Sequence, residues 1–335
     1  MDSNTFIFKL MTCYPLNNEV CMGYIMPIFV TTLLLSGSVW AKVGGPDIAY
    51  SPDGSLLAVT DQVDIRLYQM PSLTEVGLLQ GHRTVVSSLA FGPNGRWLVS
   101  GSDDRTVRLW DVAQRQSVAV IKGHKFGILS VAFSPDGRRL VSGGMDGTVR
   151  LWDTTNQHEV WMWAKGGNWL VYSVAFSPDN RRVAATLSDG TTRIWDIKTQ
   201  EQVVVFQTSG KAVRFSPDGK WLALADGQLH LWDTTTFEEI AVLKESQGGI
   251  LSLAFNPAGT LITTSNRAGT LRVWNVVQQQ PMAVFEGHTS SVGALVFSPD
   301  GRSLASVDYE GVLLIWDLAA IPTPVPDITW GGVKQ

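Results

Sequence analysis

The sequence predicts an all-β protein built from seven like units of four short antiparallel strands each, and three observations predict it. First, an aromatic residue followed by an acid, or a near equivalent, recurs at Leu67-Tyr68, Trp110-Asp111, Trp152-Asp153, Trp195-Asp196, Trp232-Asp233, Trp274-Asn275 and Trp316-Asp317. The aromatic spacings are 42, 42, 43, 37, 42 and 42 residues, and a period of about 40–45 is the length of one four-stranded propeller blade. Second, a turn keeps the same phase: Ser51-Pro52-Asp53-Gly54, Gly92-Pro93-Asn94-Gly95, Ser134-Pro135-Asp136-Gly137, Ser177-Pro178-Asp179-Asn180, Ser216-Pro217-Asp218-Gly219, Asn256-Pro257-Ala258-Gly259 and Ser298-Pro299-Asp300-Gly301. Third, Gly-His stands at Gly81-His82, Gly123-His124 and Gly287-His288, each His 28 residues before its Trp.

The turn has a physical cause. Pro presets φ, Asp or Asn bonds to its own backbone, and Gly accepts a positive φ. Apolar runs flank each turn, such as Ile128 to Phe133 and Arg139 to Ser142, and read as antiparallel strands. Thirteen Trp and 32 Gly fit a unit that carries its own Trp and its own glycine turns.

Charged residues make up 17% of the 335 residues, below the roughly 25% usual for soluble domains. With 44% hydrophobic residues the chain is not a disordered one. The net charge of −4, from 26 basic and 30 acidic residues, argues against nucleic acid as a partner. Both cysteines, Cys13 and Cys21, precede the repeats, so the body has no disulfide, thiolate metal site or Cys nucleophile. There is no Gly-x-Ser-x-Gly elbow, phosphate-binding Gly-x-x-x-x-Gly-Lys, His-Glu-x-x-His or EF-hand loop. Neither a cofactor, a metal nor a catalytic residue is expected.

Residues 1–41 differ from the rest. From Cys21 to Ala41 no Asp, Glu, Lys, Arg or His occurs. Such a run, about 32 Å long as a helix, matches the roughly 30 Å of a bilayer core. Its centre, Ile25 to Leu35, has the length of a signal-peptide apolar region, and Val39 and Ala41 suit cleavage before Lys42. The first reading is a signal or membrane anchor, which places the protein outside the cytoplasm or at a membrane. The other reading is a buried strand, since Ile28, Phe29, Val30, Thr31 and Thr32 are good strand formers. Residues 42–318 then form the propeller and 319–335 a tail.

The three phased markers resemble the WD-repeat β-propeller family over residues 44–317. The resemblance implies a seven-bladed ring around a central channel, with four strands per blade running from the channel outward. It also implies a structural role for a polar tetrad in which Asp holds His, His holds a hydroxyl, and the hydroxyl holds the Trp indole. Two units match it at equal intervals: His82, Ser100, Asp104 and Trp110, then His124, Ser142, Asp146 and Trp152. In a third, His288, Ser306 and Trp316 keep the spacing while Glu310 takes the Asp position. Gly167 and Ala185 replace His and Ser in the fourth unit, Ser246 and Ala268 replace His and Asp in the sixth, and the fifth unit is about five residues short. Blades two and three are therefore expected to be the most rigid.

The last unit has three strands by Asp317, and its open edge needs a partner. The expected one is the tail, Val325 to Trp330; an N-terminal strand around Leu33 to Trp40 is the alternative. The Trp161-Met162-Trp163 stretch is expected to turn its two indoles inward. By family analogy, Arg83, Asp103, Phe126, Met145, Trp169, Arg267 and Tyr309 lie on the face around the channel mouth. Aromatic residues, Met and Arg of this kind are common interface anchors. The function expected is a non-catalytic, monomeric scaffold that binds a protein or peptide, exported or attached to a membrane through residues 21–41. Two other readings are a propeller enzyme or small-ligand binder using the channel mouth, and a cytoplasmic scaffold whose true start lies later.

Overall fold

The structure, a computed structural model, describes residues 5–12, 24–34, 45–164, 167–245 and 248–319. Seven antiparallel blades of four strands stand around a channel. The first comprises Ile48–Tyr50, Leu56–Asp61, Asp64–Gln69 and Thr74–Leu79. The second comprises Val86–Phe91, Trp97–Ser102, Thr106–Asp111 and Gln116–Lys122. The third comprises Ile128–Phe133, Arg139–Gly144, Val149–Asp153 and Glu159–Trp163. The fourth comprises Val171–Phe176, Arg182–Leu187, Thr192–Asp196 and Gln202–Phe206. The fifth comprises Ala212–Phe215, Trp221–Ala225, Leu229–Asp233 and Glu239–Leu243, and the sixth Ile250–Phe255, Leu261–Asn266, Thr270–Asn275 and Gln280–Glu286. The seventh takes Val292–Phe297, Ser303–Asp308 and Val312–Asp317 from the end of the repeats.

Its fourth strand is Tyr24–Leu34, running antiparallel to Val312–Asp317 with Val30 opposite Trp316 and Leu34 opposite Val312. This corrects the expectation that the tail closes the last blade. The edge is taken by the N-terminal segment, some ten residues earlier than the Leu33 to Trp40 alternative, because its β-branched and aromatic run reaches the open ladder. The residues of the tail expected to pair, Val325 to Trp330, lie outside those described. Thr5–Thr12 pairs with Tyr24–Leu34 and meets the outer strand of the sixth blade at Met11 opposite Val284, so blades six and seven share one sheet. Part of the run read as signal or anchor thus lies in this sheet. No helix among the described residues is long and apolar enough to cross a membrane.

Burial follows position in the blade. Second strands are covered on both faces by neighbouring blades, and Leu261–Asn266 is buried throughout. Outer strands face solvent, and Gln116–Lys122 alternates exposed with half-buried residues until Ile121. The core lies between blades, not within them. One cluster joins Val141, Leu151 and Trp163 of the third blade to Val174, Val183 and Trp195 of the fourth. Trp163 stacks on Trp195 at 5.8 Å and its Nε1 donates to the Gln200 carbonyl at 3.0 Å, while Trp161 packs against the same cluster. Another cluster joins Ile48, Tyr50 and Leu57 of the first blade to Val307 and Leu313 of the seventh, which closes the ring by packing. Fully burying one such aliphatic side chain contributes about 1.5–3 kcal/mol.

The turns interlock around the ring as well. Ser51 Oγ donates to Asp53 Oδ1 at 2.6 Å and accepts from Leu56 N at 2.9 Å, while Gly54 adopts φ 72°. A Cβ on Gly54 would lie 3.5 Å from Pro299, one on Gly95 3.6 Å from Pro52, one on Gly137 3.0 Å from Pro93, and one on Gly301 3.5 Å from Pro257. Each Gly therefore sits against the Pro of the preceding blade, and the first blade's Gly sits against the seventh blade's Pro.

Candidate functional site: the tetrads and the channel mouth

The regular His and Asp residues are occupied with one another. In the second blade Trp110 Nε1 donates to Ser100 Oγ at 2.8 Å, His82 Nε2 lies 2.7 Å from that hydroxyl, and His82 Nδ1 lies 2.8 Å from Asp104 Oδ2. The third blade repeats this with Trp152 to Ser142 at 2.8 Å, His124 Nε2 to Ser142 at 2.7 Å and His124 Nδ1 to Asp146 at 3.0 Å. A neutral imidazole with its proton on Nδ1 gives every donor an acceptor in sequence: indole to hydroxyl, hydroxyl to Nε2, Nδ1 to carboxylate. Burial alone would raise the Asp104 and Asp146 carboxyls. Hydrogen bonds from His82 and Thr106, and from His124, the Lys125 amide and Thr148, outweigh it and hold both well below the ordinary carboxylate range. Groups so engaged in a buried network hold the blade together.

The seventh blade corrects one expected residue. Trp316 Nε1 donates to Ser306 Oγ at 2.8 Å and His288 Nε2 lies 2.7 Å from it, but the carboxylate on Nδ1 is Asp308, at 2.9 Å, not Glu310. Glu310 contributes its backbone N–H to Asp308 Oδ1 at 2.9 Å. Asp308 ends its strand where the third blade has Gly144, and a Cβ built on Gly144 would stand 2.6 Å from His124 Nδ1. A short acid at that position therefore reaches the imidazole from the strand end, without the loop-tip residue.

The sixth blade holds its Trp in another way. Trp274 Nε1 donates to Thr264 Oγ1 at 3.0 Å, and Thr264 Oγ1 donates to Glu245 Oε2 at 3.3 Å. Glu245, with 2% of its side chain exposed, stands 3.5 Å from Arg272 Nε. A partly buried Glu–Arg pair thus takes the place of His and Asp beside Ser246, which lies outside the described residues, and Ala268. In the fifth blade Trp232 packs on Phe206 at 4.3 Å, and its Nε1 is buried with no partner among the described residues.

The channel is lined by innermost strands, and its hydroxyls follow a rule the spacing analysis missed. Leu89 N donates to Asp47 Oδ2 at 2.8 Å, Val131 N to Ser88 Oγ at 3.2 Å, Val174 N to Ser130 Oγ at 3.1 Å and Val213 N to Ser173 Oγ at 3.3 Å. Each blade so grips the next. A bulge sets this up: the ladder slips one residue just before Ser88, Ser130 and Ser173 and turns those side chains toward the neighbouring blade. The third residue of the repeated Val-Ser-Ser-Leu-Ala-Phe, Ile-Leu-Ser-Val-Ala-Phe and Val-Tyr-Ser-Val-Ala-Phe runs carried the signal.

Two cavities meet along the axis. One, about 450 Å³, opens at the mouth near the loops that carry Arg267 and Tyr309, and the other, about 480 Å³, opens among Pro93, Pro135 and Pro217 of the turns. Both reach Asp47, Ser88, Arg214 and Ser252 at the waist. Enclosure by the blades raises the Asp47 carboxyl despite its two backbone hydrogen bonds, and enclosure lowers the Arg214 guanidinium against the pull of Asp47. Arg214 Nη1 donates to Ser173 Oγ at 3.0 Å and to the Val213 carbonyl at 2.8 Å.

Of the seven residues expected on the mouth face, Arg267 and Tyr309 line the cavity. Phe126, 57% exposed, and the exposed Arg83 stand on loops of the same repeat phase outside it. Asp103 and Met145 pack by their loops: a Cβ on Gly127 would lie 2.7 Å from Asp103 Oδ1, and Met145 N donates to the Gly127 carbonyl at 2.7 Å. Trp169 is half-buried against the core between blades three and four, beside Gly147 and under Arg193. Among the described residues, no group of three or more His, Cys, Asp or Glu stands together so as to hold a metal ion.

Two family models match the chain. The one described as the first β-propeller of IFT122 matches residues 111–317, and the one described as a WD domain, G-beta repeat, matches residues 73–111. No curated protein matches it.

Proposed function

Because the chain belongs to the WD-repeat β-propeller family, whose members are typically protein-interaction scaffolds, we propose that it is a non-catalytic scaffold whose partner docks over the channel mouth. One observation carries the reading. The mouth cavity is walled by side chains that depart from the repeat: Lys211 stands where other blades have Leu129 and Leu251, and Arg267 and Tyr309 rise from neighbouring loops. Residues that hold a repeat together obey its pattern, and residues that break it without a packing gain are candidates for function. The regular histidines and aspartates are used up in the tetrads, which favours binding over catalysis.

The experiment uses the full chain as bait against extracts of its host, with Phe126→Ala and Arg267→Ala as face variants and Val118→Ala, on an outer strand, as a control. Proteins retained by the wild type and the control but lost by the face variants support the reading. Capture that every variant leaves unchanged discards this face.

A further inference from the structure

We propose that the channel mouth is an anion-recognition site that takes the carboxylate-rich segment of a partner protein. The inference rests on the scaffold reading above and names the chemistry of its ligand. The protein carries a net charge of −4, yet the mouth cavity gathers Lys211, Arg214 and Arg267 against one acid, Asp47. A cavity of about 450 Å³ with low-dielectric walls concentrates that local excess of positive charge.

The three cations come from one side of the ring, and two of them stand where the repeat does not call for charge. At the Lys211 position the other innermost strands have Ser87, Leu129, Tyr172, Leu251, Gly293 and Pro46. At the Arg214 position they have Ala49, Ala90, Ala132, Ala175 and Ala254, with Val296 in the seventh. Lys211 is held in place, with its Nζ 3.6 Å over the Tyr172 ring. Arg214 is tethered through Nη1 to Ser173 and the Val213 carbonyl. Asp47 offsets at most one of these three charges, and its two oxygens accept from Leu89 N and Ile48 N at 2.8 and 2.9 Å. Ser87 Oγ, on the same wall, is buried with no partner among the described residues and is free to donate to an incoming oxygen. A guanidinium and an ammonium fixed in a half-enclosed cavity suit carboxylates, for which charge-assisted hydrogen bonds are about twice as strong as neutral ones. The short fifth unit, 37 residues between aromatics where the others have 42 or 43, has fewer residues in the connection that leads to Lys211.

The test is titration of the full chain with a hexaglutamate peptide, followed by calorimetry, with hexaglutamine and hexalysine peptides and inorganic phosphate as further probes. Saturable binding of hexaglutamate alone, weakening steeply with salt, is expected. Lys211→Gln and Arg267→Gln are exposed changes that leave the waist intact, and each is expected to cost about tenfold in affinity at an unchanged melting temperature. Lys198→Gln, which lies away from the mouth, is expected to have no effect. Equal binding of hexaglutamine, no binding of hexaglutamate, or insensitivity to both mouth variants overturns the proposal. Phosphate binding as tightly as the peptide overturns it in favour of a free-anion site. Partner capture lost on Phe126→Ala in the same material would leave the scaffold reading standing while this one fails.

Discussion

A single Asp separates a rule of spacing from a rule of space. In blades two and three the carboxylate follows the Ser by four residues; in blade seven Asp308 follows Ser306 by two and reaches His288 Nδ1 at 2.9 Å. Counting along the chain selects Glu310, because the pattern is learned from blades whose strand-end residues are Ser102 and Gly144. Those residues bear no charge, so no second candidate stands out along the chain until the fold places the strand end beside the imidazole. Asp308→Ala should therefore destabilise the protein by about 1–3 kcal/mol, the cost of leaving a buried imidazole N–H unpaired. Glu310→Gln should change the unfolding free energy obtained from urea denaturation by less than about 0.5 kcal/mol, as surface substitutions do. Equal effects would return the role to Glu310. The tetrads also fix an acid limb. Asp104 and Asp146 titrate lower in the folded chain than in the unfolded one, so the stability they contribute is present above the unfolded carboxylate value near 3.8 and is lost as pH falls through their folded values. Thermal unfolding followed from pH 6 down to pH 2 should show a falling melting temperature below about pH 4. Asp104→Asn should flatten that fall, and a variant with the wild-type slope would show that the carboxylate carries none of it.

Blades differ in how well their Trp is held, and this should appear as graded local stability. Blades two, three and seven each have the full Trp, hydroxyl, His and Asp chain. Blade six substitutes Thr264 and Glu245, while blade five leaves Trp232 Nε1 buried without a partner among the described residues. Buried polar networks that are satisfied throughout stiffen a structure, and an unpaired group costs about 1–3 kcal/mol. Hydrogen exchange should find the second strands of blades two, three and seven, Trp97–Ser102, Arg139–Gly144 and Ser303–Asp308, slowest. Trp221–Ala225 of blade five should exchange faster by about tenfold or more, the ratio that 1.4 kcal/mol of opening free energy gives. Slowest exchange in blade five would break the link between tetrad and rigidity. Strand placement itself was legible, since Pro-Asp-Gly turns and alternating apolar residues mark it unit by unit. The substitute in blade six was not: Glu245 adjoins Ser246, which aligns with His, and no composition rule says that a neighbouring long side chain turns back to fill the gap. The serine belt was legible in principle, because the third position of the innermost strand is Ser in four blades, but its meaning needs the bulge that aims it.

A ring has to be closed, and the closing strand is the element that neither period nor turn chemistry announces, since it lies outside the repeats. Tyr24–Leu34 lies against Val312–Asp317 over five paired positions, Val30 to Leu34. Packing of Ile48 and Tyr50 on Val307 and Leu313, and Gly54 on Pro299, would hold the first and seventh blades together without it. Its specific contribution is then to cover the edge of Val312–Asp317, whose N–H and C=O groups would otherwise offer a template to another chain. Removal of residues 1–34 should lower the melting temperature by about 5–10 °C, as a loss of a few kcal/mol does for a domain of this size. It should also bring concentration-dependent association that dilution reverses. Removal of residues 320–335 should do neither. If instead the tail deletion opens the ring and the N-terminal deletion is silent, the tail is the closing strand, and cleavage before Lys42 becomes compatible with a closed propeller. N-terminal sequencing of the protein from its host bears on the same point from the other side: a mature chain that begins at Lys42 has lost Tyr24–Leu34, and its last blade must find its fourth strand elsewhere.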